Sequence, residues 1–218
     1  MDALKLFVVR HGGTSWTAER RFTGSRDVAL SDTGQARAEA VAGALAGHAV
    51  AAVYASPLER TRTTAEIVAK RHRLDVRTGG AFRDMGFGAW EGLTADEVAE
   101  RFSDAWHVWR AAPHALTAHA GERLAGVADR VASALARLQQ AHAGGTVVLV
   151  THAVPVRLIV LAALGLGPER LWSVDASPAG ISELEYTRDW VTVHRVNTLA
   201  HLTDMGGPEM APHMDVAP

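Results

Sequence analysis

The 218-residue chain contains no cysteine, which excludes disulfides, thiolate metal sites and thiol nucleophiles together. It also lacks an excess of either charge: 22 Lys and Arg stand against 24 Asp and Glu, for a formal net charge of -2. A nucleic-acid-binding protein normally shows a basic surplus, so no nucleic-acid partner is expected. Long hydrophobic runs are missing as well. The longest apolar stretch, from Val147 to Leu166, is interrupted by His152, Pro155 and Arg157 and makes a poor membrane span. The start, MDALKLFVVRHGG, has an acid at position 2 and only a short apolar run before Arg10, unlike a secretory signal. A cytoplasmic protein with no membrane association is therefore expected. No linker, composition break or internal repeat divides the chain. One domain over 1–202 is expected, followed from Thr203 by a Gly-, Pro- and Met-rich tail that lacks periodicity and reads as disordered.

The chain does have enough apolar residues, 48%, for one substantial core. Two runs, LKLFVV at 4–9 and TVVLVT at 146–151, are apolar on both faces, as in central strands of a parallel sheet covered by helices. Each leads into a histidine. A third run, VAAVYA at 50–55, feeds SPLERTRTTAEIVAK, where Ser56, Pro57 and Glu59 read as an N-cap, an N1 proline and a capping box, with Arg60 in the first helical turn. Further helices are expected at about 32–46, at 95–102 behind a capping box of Thr94 and Glu97, at 122–142, and after His152 with Gly165 as terminator. Strands near 181–186 and 190–196 read as an edge hairpin. The alternation predicts a three-layer α/β/α sandwich with a mostly parallel central sheet.

In such sheets ligands bind beyond the carboxyl ends of the strands. Arg10, His11, the 56–60 segment and His152 all lie at such ends, so two histidines and two arginines converge on one sheet edge. The helix opening at Ala153 adds free N–H groups and the positive end of its dipole. That is the composition of an anion site, suited to a phosphoryl group with a neutral imidazole as in-line nucleophile. A single strand-end histidine is more commonly structural, and Arg60 alone would pass for a solvated helix residue. Asp84, among Gly79, Gly80 and Gly86, would pass for a turn residue.

The stretches VVRHGGTSW, SPLERTRTTAE, FRDMGFGAWEGLTADEV, GERLAGVADRV and LVTHAVPVR, in this order, resemble the successive blocks of the histidine phosphatase superfamily, the phosphoglycerate mutase-like enzymes. The resemblance runs from about residue 5 to 202. It implies that His11 is a phosphorylated nucleophile, that Arg10, Arg60 and His152 hold the phosphoryl oxygens, and that Asp84 is the general acid. It further implies phosphate-binding roles for Thr17, Thr23, Gly24 and Ala153. Asp84 stands where the family usually carries glutamate, Gly13 where RHGE would supply one, Thr17 where an asparagine often contacts phosphate, and Ala153 where a glycine commonly follows the histidine.

The third block resembles the phosphatase branch rather than the mutase branch, so the expected activity is hydrolysis of a small phosphorylated metabolite without metal or cofactor. A phosphoester-binding protein with weak or no catalysis and a phosphoglycerate mutase are the alternatives. A homodimer is expected on the resemblance alone. The segment 103–121, with Trp106, Trp109, His107, His114 and His119, is expected to be a loop or lid that caps the substrate. Trp90 and Trp172 read as core or pocket-wall aromatics.

Overall fold

The computed structural model describes residues 3–116 and 121–205. Six strands form one sheet: β1 (Leu4–Arg10), β2 (Ala52–Ala55), β3 (Val76–Thr78), β4 (Thr146–Thr151), β5 (Ile181–Tyr186) and β6 (Val191–Thr198), in the order β3-β2-β4-β1-β5-β6. The pairs β1/β4, β2/β4 and β2/β3 are parallel, and the β5/β6 hairpin joins antiparallel to β1. The architecture is thus the mostly parallel α/β sandwich expected from the sequence.

Strand alternation divides the core in two. Leu4, Leu6 and Val8 of β1, with Val147 and Leu149 of β4, point to one face, and Phe7, Val9, Val148 and Val150 to the other. The second face is covered by α2 (Asp32–Leu45) and α3 (Glu59–His72) through Val41, Leu45, Ala65 and Val68. The first is covered by α6 (Leu124–Ala141), whose Leu124, Val127, Val131, Leu135 and Leu138 form the expected stripe, and by α7 (Ala153–Ala163). Because the β1-to-β2 crossover and the β3-to-β4 crossover use opposite faces, β4 slots in beside β1. Its register pairs Arg10 with Thr151, so the residues that follow, His11 and His152, emerge side by side.

Several local expectations are met. The Thr94/Glu97 capping box opens α4 (Ala95–Arg101), and Gly165, at φ +71 just past α7, supplies the left-handed turn that ends it. Others are corrected. The helix after β2 begins at Glu59 with Leu58 as N-cap and no side-chain cap. Ser56 is not its cap: the Ser56 hydroxyl is engaged by His152 at 2.8 Å, and the Glu59 N–H donates to Asp27 Oδ1 at 2.7 Å. The 103–121 segment is not an open loop over its first half. It forms α5 (Ser103–Ala111) and a 3-10 turn at Pro113–Ala115, and Trp109 is buried against Phe87, Trp90 and Trp172. His119 lies outside the described residues.

Two pieces escaped the sequence reading, the edge strand β3 and the single-turn helix α1 (Ser15–Ala18). The described chain closes in a 3-10 turn, Ala200–Met205, three residues past the expected domain end, that buries Leu202. The rest of the expected tail lies outside the described residues. Among the described residues no helix is long and apolar enough to cross a membrane.

Candidate active site

The loop after β1 is seated by close backbone packing. A Cβ on Gly12 would stand 2.2 Å from Gly34 O, and one on Gly34 would stand 1.9 Å from Gly13 O, so this loop meets the start of α2 where only glycines fit. Ser31 donates to Gly13 O through both its N–H and its hydroxyl, at 3.0 and 3.2 Å. Gly12 N donates to Thr64 Oγ1 of α3 at 3.2 Å, and His11 N to Thr151 O of β4 at 2.9 Å. His11 is therefore held from β1, β4, α2 and α3 together.

Its ring is oriented as firmly. Nδ1 is bonded to Gly12 O; a carbonyl only accepts, so Nδ1 carries the proton and Nε2 keeps its lone pair. The ring meets His152 edge to face, with centroids 5.3 Å apart. His11 is 5% exposed, and His152, Arg60 and Ser56 are 0% exposed.

Arg60 links the rest. Its Nε donates to His152 Nδ1 at 3.2 Å, while its two other nitrogens donate to Arg26 O at 2.7 Å and Gly24 O at 2.9 Å. Because Nδ1 of His152 accepts from Arg60, its proton sits on Nε2, which faces Ser56 Oγ at 2.8 Å. Arg10 donates from Nη1 to Ala176 O at 2.6 Å, and its buried Nε has no partner among the described residues. A buried donor left unpaired is costly and calls for an acceptor, as an anion would supply.

The electrostatics follow from burial beside positive charge. Both histidines are held well below the usual imidazole range, first by burial and then by Arg60, with His11 and Arg10 adding for His152 and Arg10 for His11. Arg10 is lowered to about 10 by burial and by Arg157. Asp84 moves the other way: burial pushes its carboxyl up, against the pull of Arg60 and Arg10. Its backbone is clamped by Arg130 of α6, which donates to Ala81 O, Arg83 O and Asp84 O at 2.7, 2.7 and 2.8 Å. Arg130 also pairs with Glu122, whose Oε2 accepts from Gly86 N at 2.8 Å.

Thus the structure brings Arg10, His11, Arg60, Asp84 and His152 into one electrostatically coupled cluster. Ala153 opens α7 directly behind His152. Three others have local partners of their own. The Thr17 hydroxyl completes a capping box with Thr14 at the start of α1; Thr23 Oγ1 contacts Arg21 O at 3.5 Å; and Gly24, at φ +50, offers its carbonyl to Arg60. Sequence reading missed Ser56 as the partner of His152, Arg130 as the clamp on Asp84, and Arg157 beside Arg10. Only their place inside matching sequence blocks could have flagged them.

Comparison with known proteins adds a family. The model of the histidine phosphatase superfamily (branch 1) matches residues 6–199. Phosphoserine phosphatase 1 of Hydrogenobacter thermophilus is 31% identical over 199 residues, which cover 91% of this chain and 94% of that protein. The structure of Bacillus stearothermophilus YhfR is similar at a TM-score of 0.86 and 29% identity, over 91% of this chain and 99% of that one. A mycobacterial glucosyl-3-phosphoglycerate phosphatase in complex with VO3 is similar at a TM-score of 0.83 and 26% identity, over 89% of this chain and 99% of that one.

Proposed function

The chain belongs to branch 1 of the histidine phosphatase superfamily, and from that premise we propose that it hydrolyses a small phosphomonoester through a phosphohistidine on His11. The observation that carries this reading is the His11 ring itself: Nδ1 is committed to Gly12 O, leaving Nε2 as a lone pair held neutral beside two guanidiniums. A neutral, oriented imidazole in a positive pocket is the nucleophile that phosphoryl transfer requires. The relatives named above as phosphatases of phosphoserine and of glucosyl-3-phosphoglycerate support a small metabolite as substrate.

In the first step His11 Nε2 attacks phosphorus and the bond from phosphorus to the ester oxygen breaks. Arg10, Arg60 and the N–H groups at the start of α7 stabilise the equatorial oxygens. His152 supports this cradle by holding Arg60 at its Nδ1. Asp84, whose carboxyl burial pushes up, gives its proton to the departing alkoxide. In the second step the Asp84 carboxylate takes a proton from water, the water oxygen attacks the phosphohistidine, phosphate leaves and His11 is restored.

The test is phosphate release from p-nitrophenyl phosphate and a panel of metabolite phosphomonoesters with EDTA present, comparing the native chain with His11→Ala. Release that survives EDTA and vanishes with His11 is the expected result. Unchanged hydrolysis in His11→Ala would overturn the mechanism, and interconversion of 2- and 3-phosphoglycerate without net release would replace hydrolysis with mutase activity.

A further inference from the structure

The side chain of Glu91 joins the two loops on which proton donor and phosphoryl cradle depend. It follows the short 3-10 turn Gly88–Trp90 and is only 8% exposed. Its Oε1 accepts from Phe87 N at 3.1 Å, three residues past Asp84. The same oxygen accepts from Ser25 N at 2.8 Å, and Ser25 lies between Gly24 and Arg26, the two residues whose carbonyls hold Arg60. Oε2 lies 3.5 Å from Arg26 Nε, but Arg26 is 68% exposed, so that ion pair adds little. The strong part is the pair of backbone bonds to one charged acceptor.

The joint is tight. Gly92 N donates to Phe22 O at 2.8 Å and Phe22 N to Leu93 O at 2.9 Å, which docks the start of the Gly24 loop beside Glu91. Gly24, at φ +50, lies where a Cβ would stand 2.3 Å from Glu91 Oε1, and a Cβ on Gly86 would stand 3.1 Å from Ser25 Oγ. The Asp84 loop is held from α6 by Arg130, on its carbonyls, and by Glu122, on Gly86 N. Glu91 ties that loop to the one that seats Arg60. Its charge reaches Arg60 as well: burial lowers that guanidinium, opposed by Asp84, Asp27 and Glu91 in that order.

We propose that Glu91 is a positioning residue for proton transfer, fixing the Asp84 loop against the carbonyls that seat Arg60. The inference rests on the phosphomonoesterase reading. A phosphoryl group lying on Arg60 then presents its leaving oxygen at the reach of Asp84, and a misplacement on the order of 1 Å would be costly. Glu91 acts through Ser25 N and Phe87 N and takes no part in bond breaking.

The test compares phenyl phosphate with p-nitrophenyl phosphate, two esters of similar shape whose leaving groups differ in their need for a proton. Glu91→Met removes the acceptor at similar length. It is expected to lower kcat on both esters through the loosened Arg60 acceptors, and on phenyl phosphate at least about fivefold more through the displaced acid. Glu91→Gln keeps Oε1 for both N–H groups and is expected to hold the ratio of the two rates within about twofold of native. In the Asp84→Asn background the extra loss on phenyl phosphate is expected to vanish, because two residues acting through one step are not additive.

Equal losses on the two esters would overturn the proposal, as would an extra loss that persists without the Asp84 acid. A merely structural Glu91 gives both of those results. If Glu91→Met fails to fold, Glu91→Asp, too short to reach both loops, takes its place in the same comparison. Release of phosphate from neither ester by the native chain would sink the phosphomonoesterase reading instead. Hydrogen exchange at the Ser25 and Phe87 amides would then still decide the clamp: faster exchange of both with Met, but not with Gln, is expected, and unchanged exchange would refute it.

Discussion

Arg60 Nε donates to His152 Nδ1 at 3.2 Å while the other two guanidinium nitrogens each give one N–H, to Arg26 O and Gly24 O. The buried arginine is thereby fixed in one plane, and the histidine in one tautomer, before any substrate arrives. Lysine keeps the charge but cannot make three divergent bonds from a single nitrogen in that geometry. Arg60→Lys is expected to lower kcat/KM on the order of a hundredfold or more. Steady-state kinetics checks this, with circular dichroism confirming the fold.

Asp84→Asn removes the proton that the leaving alkoxide needs. Esters with poor leaving groups should lose on the order of a hundredfold or more in kcat, and p-nitrophenyl phosphate much less, because nitrophenolate departs without help. Parallel assays on both substrates measure the difference. Equal losses would take the acid role away from Asp84.

Ser56→Ala leaves the His152 Nε2–H, now facing Ser56 Oγ at 2.8 Å, buried without an acceptor. The expected cost is about 1–3 kcal/mol of stability, read from urea unfolding midpoints. Ser56→Thr, which keeps a hydroxyl, should recover most of it.

Acid should destabilise the fold at a higher pH than carboxylate protonation would explain. His11 and His152 have folded-state pKa values well below the ordinary value, so the unfolded chain binds more protons. Their stabilising contribution is complete above the unfolded pKa of about 6.5 and is lost as pH falls toward the folded values. One unit below 6.5 the two histidines together cost about 3 kcal/mol. His72, His142 and His201 are also lowered and act in the same direction. Asp84, raised by burial, acts in the opposite direction but is one group against these. Unfolding by urea at pH 7.5 and 5.5 measures the difference, and equal stability at both would refute it.

Trp109, 1% exposed and packed against Trp172 with ring centroids 4.9 Å apart, should behave as a core residue. Trp109→Ala is expected to cost about 3–5 kcal/mol. Trp109→Phe should cost clearly less, because it keeps a ring and removes a buried indole N–H that has no partner among the described residues. Thermal unfolding of both variants provides the check.

How much of this was legible follows from how far each signal reaches along the chain. β1 and β4 were visible because a strand buried on both faces must be apolar throughout, and α6 because one buried face repeats at helical spacing. β3 was not, since its three residues are largely exposed and carry no pattern. The start of α3 was misread because Ser56 and Pro57 imitate a local cap. The real acceptor is Asp27, 32 residues earlier in sequence, and Ser56 is drawn instead to a histidine 96 residues away. Likewise α5 read as a loop because its buried partners, Phe87, Trp90 and Trp172, all come from outside it.

By itself the sequence determined the alternation of strands and helices, the strand ends that carry Arg10, His11 and His152, and the absence of any thiol chemistry, since each is written in composition or in short-range periodicity. Only the tertiary structure decided which nitrogen of each histidine carries the proton, what seats Arg60 and what clamps Asp84. Those facts depend on contacts between residues as far apart as Arg10 and Ala176, separated by 166 positions, and a chain acquires such contacts only when its packing brings distant segments together.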